Sequence, residues 1–198
     1  MTELLYQGHA SFRLVSPESI VIYIDPYAGE GYDVPADAVF CSHEHKDHSD
    51  TEKVLLKDSA QIFHYPQLLI NGEYQTVRIG DVFVLAVPAY NDKHPRETTV
   101  GLLVSAGGRK MYFASDTNFI PEMKELAAEK IDYAFFPTDG FFNMGPEEAG
   151  ECAKAVAAVH STPIHTCKNT DGIFKEENAL IFEAEGRLIL HPGEKITW

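Results

Sequence analysis

The chain of 198 residues has 16 lysines and arginines against 30 aspartates and glutamates, which gives a net charge of −14. Proteins that hold a nucleic-acid backbone concentrate basic residues, so this excess of acid argues against a nucleic acid as the natural partner. The length suits one domain over residues 1–198, and 44% apolar with 23% charged residues is typical of a globular protein.

The amino terminus and the cysteines predict the compartment. Residues 1–6 lack the basic region and long apolar run of a signal peptide, and no stretch approaches the roughly 18 apolar residues of a membrane span. Cys41, Cys152 and Cys167 are widely spaced, and we predict that they pack as small core residues, with a position near a functional site as the alternative for Cys167. We therefore expect a cytoplasmic protein with no membrane partner.

The first half of the chain predicts β-strands joined by turns. Apolar runs indicate the strands, and clusters of Gly, Pro, Asn and Ser indicate the turns between them. Residues 49–52 follow a capping-box pattern, which predicts a short helix carrying Val54, Leu55 and Leu56 directly afterwards. The predicted strands are 4–6, 9–15, 20–24, 38–42, 60–65, 74–79, 82–87, 99–105 and 110–115.

Strands and helices alternate in the second half. Pro121 and Pro146 are favourable first-turn residues, and each is followed by apolar residues at helical spacing. Hairpins in the first half of the chain, followed by alternating strands and helices in the second half, predict an α+β fold. In this fold two mixed sheets pack face to face with helices outside. The other predicted elements are a strand at 132–136, a strand ending at His165, a helix near 175–185 and a strand at 187–190.

Four potential metal ligands lie between residues 43 and 48, directly after the apolar run 38–41, with the spacing His-x-His-x-Asp-His. Residues two apart in an extended chain point to the same side, so His43 and His45 can close on one cation. The turn that follows directs Asp47 and His48 towards a second cation. A histidine-rich surface loop is the alternative, but three imidazoles and a carboxylate at this spacing favour a metal site.

Two further candidate ligands follow predicted strands. Asp116 comes directly after the apolar strand 110–115, and His165 ends the short strand that contains Pro163 and Ile164. Strand ends deliver side chains to a shared rim, so Asp116 is the candidate bridging carboxylate and His165 a further ligand. A solvated aspartate at the end of a strand is the alternative for Asp116.

These motifs together resemble one family. The histidine motif, Ser115-Asp116-Thr117 and Pro163-Ile164-His165 are similar to motifs of the metallo-β-lactamase superfamily. The opening Gly8-His9-Ala10-Ser11-Phe12, with Asp25-Pro26, resembles its branch of uncharacterised metal-dependent hydrolases, which contains the ascorbate-6-phosphate lactonases. The match runs from about residue 4 to 195. It implies a four-layer αββα sandwich with a two-metal site at one edge of the sheets.

The resemblance also implies a role for each candidate residue. One or two divalent metal ions are implied, with zinc the default for histidine and aspartate ligands, and manganese or iron acceptable because no thiolate takes part. The resemblance also implies that Asp25 does not bind metal itself but forms hydrogen bonds with the loop that carries the histidine motif. The implied ligands are His43 and His45 for the first metal, Asp47, His48 and His165 for the second, and Asp116 between them.

The sequence departs from the family pattern in the loop after Val87-Pro88-Ala89, where the family usually has a histidine and this chain has Asn91. An amide oxygen is a poorer zinc ligand than imidazole. The first metal site is therefore expected to bind more weakly, to use His94 as its third ligand, or to be empty. The alternative is that Asn91 and His94 belong to an ordinary loop with no role at the metal. His9 is open in the same way: it is either a hydrogen-bonded strand histidine or a polar group facing the metal edge.

The expected activity is metal-dependent hydrolysis of a small ester, lactone or phosphoester, with Asp47 and Asp116 as the catalytic carboxylates. A nuclease or phosphodiesterase of the same fold is one alternative. A non-catalytic metal-binding or ligand-sensing module with an incomplete first site is another. Specificity is expected in the loops at 26–36, 65–73, 91–98 and 138–145, and the oligomeric state is open. Loop residues beside the proposed ligands could contact the substrate or form a solvated rim: Tyr90, Lys93, Arg96, Lys168 and Asn169.

Overall fold

Two six-stranded mixed β-sheets pack face to face in the computed structural model, which describes residues 1–198. The predicted α+β class with two mixed sheets is confirmed, because β-branched and aromatic runs form strands close to the predicted positions. In chain order the strands are β1 Glu3–Gly8, β2 Ser11–Val15, β3 Val21–Ile24, β4 Ala36–Phe40, β5 Leu56–Phe63, β6 Leu69–Ile70, β7 Glu73–Tyr74, β8 Thr76–Ile79, β9 Val82–Pro88, β10 Val100–Ala106, β11 Arg109–Phe113, β12 Tyr133–Pro137, β13 His160–Ile164 and β14 Lys195–Thr197.

The first sheet has the order β14-β1-β2-β3-β4-β5, and the second has the order β13-β12-β11-β10-β9-β8. In the first sheet β3, β4 and β5 are parallel, and in the second sheet β11, β12 and β13 are parallel. Parallel strands of one sheet end at the same edge. The residues that follow β3, β4, β11, β12 and β13 therefore meet at one edge of the sandwich.

Aromatic side chains from both sheets fill the space between them. The ring of Phe12 on β2 lies 5.0 Å from that of Phe113 on β11 and 4.7 Å from that of Phe135 on β12, between centroids. Burying an aromatic or branched aliphatic side chain contributes about 1.5–3 kcal/mol relative to leaving it exposed. This central core holds the two sheets, and hence their common edge, in a fixed relation.

The outer faces of the two sheets are covered differently. Over the second sheet, α3 Pro146–Val156 and a 3-10 helix at Pro121–Glu129 enclose a second apolar cluster. Over the first sheet the cluster is smaller, and it includes Tyr32 and Val54 from loops. The other helices are short: α1 Lys46–Ser49, α2 Tyr65–Leu68 and α4 Glu176–Ile181, with 3-10 turns at Thr51–Lys53 and Asn169–Asp171. No helix is long and apolar enough to cross a membrane.

The helix predicted after residue 51 was wrong beyond its first turn. Only Thr51–Lys53 is helical, and Leu56 begins β5, where it pairs with Ala36 of β4. Leu55 and Leu56 are exposed, so no apolar helical face could be buried there, while pairing along β4 satisfies backbone groups. Strand pairing therefore prevails over the local capping signal.

The strand predicted at 187–190 was also wrong. Arg187 forms only an isolated bridge with Ser161, and the last strand is instead β14, which pairs with β1. The sequence pattern did not reveal β14 because three residues carry little periodic signal, and its partner is at the opposite end of the chain. The predicted helix near 175–185 is limited to α4, and the predicted strand 9–15 begins only at Ser11.

Candidate metal centre

The first group of potential ligands combines two residues of the histidine motif with one from a distant loop. β4 ends at Phe40, and the chain then carries His43 and His45 to α1. One ring nitrogen from each of His43, His45 and His94 lies within 4.8 Å of the others. His43 and His94 are buried, while His45 is exposed. We call each of the two groups of potential ligands a half-site. The structure thus brings His94, rather than Asn91, to the half-site that contains His43 and His45.

The second group joins Asp47, His48 and His165 and includes His9. One ligand atom from each of these four residues lies within 4.8 Å of the others. The Nε2 atom of His9 lies 3.3 Å from Oδ2 of Asp47, and the rings of His9 and His165 are 3.6 Å apart between centroids. His9 is fully buried. It therefore lies at the metal edge, in the turn between β1 and β2.

Asp116 lies between the two groups and directs one carboxylate oxygen towards each. Its Oδ1 atom is 3.3 Å from Nε2 of His48 and 3.7 Å from Nε2 of His165. Its Oδ2 atom is 3.2 Å from Nε2 of His94 and 3.9 Å from Nε2 of His43. Asp116 follows β11 and is buried, so a single carboxylate at a strand end faces both half-sites.

The donor atoms fit divalent cations. Nε2 of His43, Nε2 of His48 and Oδ1 of Asp116 are buried and form no hydrogen bond within the chain. Buried polar atoms normally have a partner, and leaving one without a partner costs about 1–3 kcal/mol. Ligands at about 2.0–2.1 Å from a tetrahedral ion stand about 3.3 Å apart, which is close to the shorter spacings around Asp116. Imidazole and carboxylate without thiolate suit zinc, manganese or iron.

The pKa values of His43, His9 and Asp116 suit a bound cation. Burial lowers the pKa of His43 well below its ordinary value and lowers the pKa of His9 to about 4. Burial alone would raise the pKa of Asp116, but the imidazoles of His48 and His165 outweigh burial and hold this pKa well below its ordinary value. Neutral imidazole and ionised carboxylate are the forms that bind a cation. Burial lowers the pKa of His48, but the carboxylates of Asp116 and Asp25 outweigh burial and hold this pKa well above its ordinary value, so a cation bound there would displace a proton.

Asp25 supports the histidine motif from behind. Its Oδ1 accepts a hydrogen bond of 2.7 Å from the backbone N–H of Ser42, and its Oδ2 accepts one of 2.7 Å from the Ser42 hydroxyl. Oδ2 also lies 2.8 Å from Nδ1 of His48, which directs the Nε2 atom of that ring towards Asp116. The side chain stands where the resemblance implies, since it orients a proposed ligand without joining either group.

Four of the eight non-glycine residues with a positive φ lie at these strand ends. His9, Asp25, Ser115 and His165 have φ values of 53°, 45°, 60° and 43°, in the left-handed region that residues other than glycine rarely adopt. Each such residue costs roughly 1–3 kcal/mol and persists only where the surrounding structure holds it. The sharp turns direct side chains into the site directly after a strand ends.

Comparisons with known proteins agree with this geometry. Residues 3–165 match the family model of a beta-lactamase superfamily domain. A UPF0173 metal-dependent hydrolase of Bacillus thuringiensis subsp. konkukian (strain 97-27) is 30% identical, over 97% of this chain and 98% of the relative. The chain belongs to the UPF0173 metal-dependent hydrolases of the metallo-β-lactamase superfamily.

Relatives of this UPF0173 family extend to other phyla and to a solved structure. The family member from Thermococcus onnurineus (strain NA1) is 26% identical over 98% of each chain. The crystal structure of a protein from Parabacteroides distasonis ATCC 8503, described as a metal-dependent hydrolase, is 26% identical and superposes with a TM-score of 0.76. It covers 94% of this chain and 90% of that one. A metal-dependent hydrolase with a candidate histidine and aspartate cluster is thus established, while the lactonase resemblance stays a prediction.

Asn91 lies behind His94 in this UPF0173 chain. Its Oδ1 atom lies 3.0 Å from Nδ1 of His94 and accepts hydrogen bonds of 2.9 Å from the backbone N–H groups of Lys93 and His94. Its Nδ2 atom donates to the carbonyl oxygen of Phe142. These contacts occupy the amide, so Asn91 orients the histidine that stands three residues later. A family pattern with histidine at this position could not reveal that arrangement.

Asp139 is a residue that the sequence analysis missed. Its Oδ2 atom lies 3.3 Å from Nδ1 of His165 and accepts a hydrogen bond of 2.8 Å from Asn143. The side chain is fully buried, although the residue was assigned to a specificity loop. The sequence contained a signal for this residue, because Asp139 follows the apolar strand β12 just as Asp116 follows β11. Asn143 in turn accepts a hydrogen bond of 3.4 Å from Asn91, so one polar network reaches from His94 to His165.

We expect Asn91→Ala to weaken metal binding at the half-site of His43, His45 and His94 by about 10–100-fold, because Nδ1 of His94 loses the partner that orients its ring. The second half-site should keep its affinity. Titration of the metal-free protein against a chromogenic chelator would resolve the two affinities. Asn118→Ala, which removes the part-buried hydrogen bonds that this amide donates to Glu148, is the matched control. Equal loss at both half-sites would contradict this assignment.

Proposed function

We propose that this protein hydrolyses a small ester, lactone or phosphoester with two divalent metal ions, zinc by preference. The single observation that carries the proposal is the position of Asp116, whose two carboxylate oxygens face two groups of potential ligands, one through His48 and the other through His94. A carboxylate placed in this way favours a two-metal site over a single one. The proposed ligands are His43, His45 and His94 on one side, Asp47, His48 and His165 on the other, and Asp116 between them.

The chain's own residues would prepare the site before a substrate arrives. Bound divalent cations supply Lewis acidity and lower the pKa of water to about 7. Asp116 would hold the two half-sites at a fixed separation and orient the attacking water with its carboxylate. His9 would fix the carboxylate of Asp47 through Nε2, because the two atoms are 3.3 Å apart. Asp25 and Asp139 would hold the rings of His48 and His165.

His45→Ala is the variant that tests the proposal. His45 is exposed, so its removal leaves no cavity and the fold should be unaffected. We expect the metal content to fall from about two ions to about one per chain, and hydrolysis of model esters, lactones and phosphodiesters to fall by at least about 100-fold. The measurements are elemental analysis of the purified protein and initial rates on each substrate.

His191→Ala is the matched control, since His191 is a half-exposed histidine that pairs with Glu176 far from the motif along the chain. It should change neither metal content nor rate. Unchanged metal content in His45→Ala would contradict the proposed ligand set. One metal per chain in the unaltered protein, with no turnover on any substrate, would instead indicate a binding or sensing module.

A further inference from the structure

Two lysines from different loops converge on one aromatic side chain beside the metal edge. Nζ of Lys93 lies 4.1 Å from the ring centroid of Phe141, and Nζ of Lys168 lies 3.5 Å from the same centroid. Lys93 also donates a hydrogen bond to the carbonyl oxygen of Phe141. The Phe141 side chain is half exposed, so the ring and the two ammonium groups form a surface that solutes can reach. We call these three residues the lysine pair and its ring.

The lysine pair belongs to the same loops as proposed ligands of both half-sites. Lys93 directly precedes His94 and lines a cavity of about 200 Å³ together with His43 and His45. Lys168 follows His165 by three residues on the loop whose next residue, Asn169, places Nδ2 3.4 Å from Oδ2 of Asp47. A group held by the pair would therefore lie beside the reacting centre.

Both ammonium groups are free of carboxylate partners. Of the eleven lysines of this chain, four form ion pairs, and Lys93 and Lys168 are among the seven that form none. The carboxylate that lines the same cavity, Glu44, lies 3.1 Å from Nδ1 of His64. No carboxylate therefore neutralises either of the two cations beside this ring, although the chain has a net charge of −14. Like charges in this arrangement repel each other, and an anion between them would remove that repulsion.

We propose that Lys93 and Lys168 bind an anionic group of the substrate, a phosphate or a carboxylate, while the Phe141 ring contacts the apolar part beside it. The proposal rests on the hydrolase function above for the reacting end of the substrate. It narrows the substrate class to small anionic esters, lactones or phosphoesters. The pair would act on binding, since the anionic group is held away from the bond that breaks.

The test compares three chromogenic substrates with the metal-loaded enzyme: para-nitrophenyl 3-phosphonopropanoate, in which the phosphonate lies away from the ester bond, the mono-para-nitrophenyl ester of succinate, and neutral para-nitrophenyl butyrate. We expect Lys93→Ala and Lys168→Ala each to raise KM for an anionic substrate about 10-fold, with kcat within about twofold. KM for the butyrate ester should not change. Lys93→Arg and Lys168→Arg keep the charge and should retain most of the affinity. Lys154→Ala, on α3, is the control.

The possible outcomes distinguish failure of the anion-binding proposal from failure of the hydrolase function. A KM effect on the phosphonate ester alone, or on the succinate ester alone, identifies which anion the pair accepts. Equal effects on the neutral ester, or no effect on either anion, would overturn the proposal. If the unaltered enzyme hydrolyses none of the substrates, the proposed hydrolase function fails. The affinity for orthophosphate, measured by calorimetric titration, then tests the lysine pair independently. About 10-fold weaker phosphate binding in each alanine variant, at unchanged metal content, supports the pair, and equal binding refutes it.

Discussion

Replacing Asp116 by asparagine is expected to abolish most hydrolysis, with turnover reduced about 1,000-fold, which corresponds to about 4 kcal/mol of transition-state stabilisation. An amide of the same shape has one carbonyl oxygen and no charge, so it cannot serve both half-sites. Oδ1 and Oδ2 of Asp116 now face His48 and His94 at 3.3 Å and 3.2 Å. Metal content should fall below one ion per chain.

Asp92→Asn makes the same chemical change at an exposed position in the loop between Asn91 and His94, and it should leave metal content and turnover unaltered. Elemental analysis and initial rates should be measured on both variants in parallel. Circular dichroism would verify that each variant is folded. Two bound metals and full activity in Asp116→Asn would refute the bridging role of this carboxylate.

Replacing Asp25 by alanine is expected to lower the free energy of unfolding by about 3–5 kcal/mol. The Asp25 carboxylate is buried and is within 2.8 Å of two groups of Ser42 and of Nδ1 of His48. Its removal leaves these groups without a partner. The left-handed backbone at this position, with φ of 45°, adds strain because alanine tolerates it less well than aspartate. Metal affinity at the half-site of His48 should also fall, by about 10–100-fold.

Two further variants separate these contributions. Asp25→Asn keeps the shape and tolerates the backbone conformation, so it should recover part of the stability and little of the metal affinity. Asp37→Ala removes a carboxylate that accepts a 2.8 Å hydrogen bond from the backbone of Val21, on β3 and far from the ligands. It should cost about 1 kcal/mol with no loss of metal. Urea unfolding of the metal-free proteins measures stability, and a metal-free Asp25→Ala as stable as the original would contradict the expectation.

Much of the fold could be predicted because its strands carry their own signals. β3, β4, β10 and β12 are apolar runs of four to seven residues bounded by turn-forming residues, and such runs form strands wherever they are buried. The elements that were wrong depend on partners distant in sequence. β5 begins at Leu56 because β4 is beside it, and β14 forms because β1 is available. Local propensity does not contain those partners.

The site shows the same difference between residues with a local sequence signal and residues that depend on partners distant in sequence. The histidine motif, Asp116 and His165 could be predicted from the sequence, since each stands directly after an apolar strand and parallel strands end at one edge. Which other side chains complete the two groups depends on how the loops fold. His9 and His94 reach the groups from loops, and Asn91 and Asp139 orient neighbours by hydrogen bonds. Loop paths depend on contacts across the whole chain, so the sequence left the roles of His9, His94 and Asn91 open, and only for Asp139 did a strand end offer a signal.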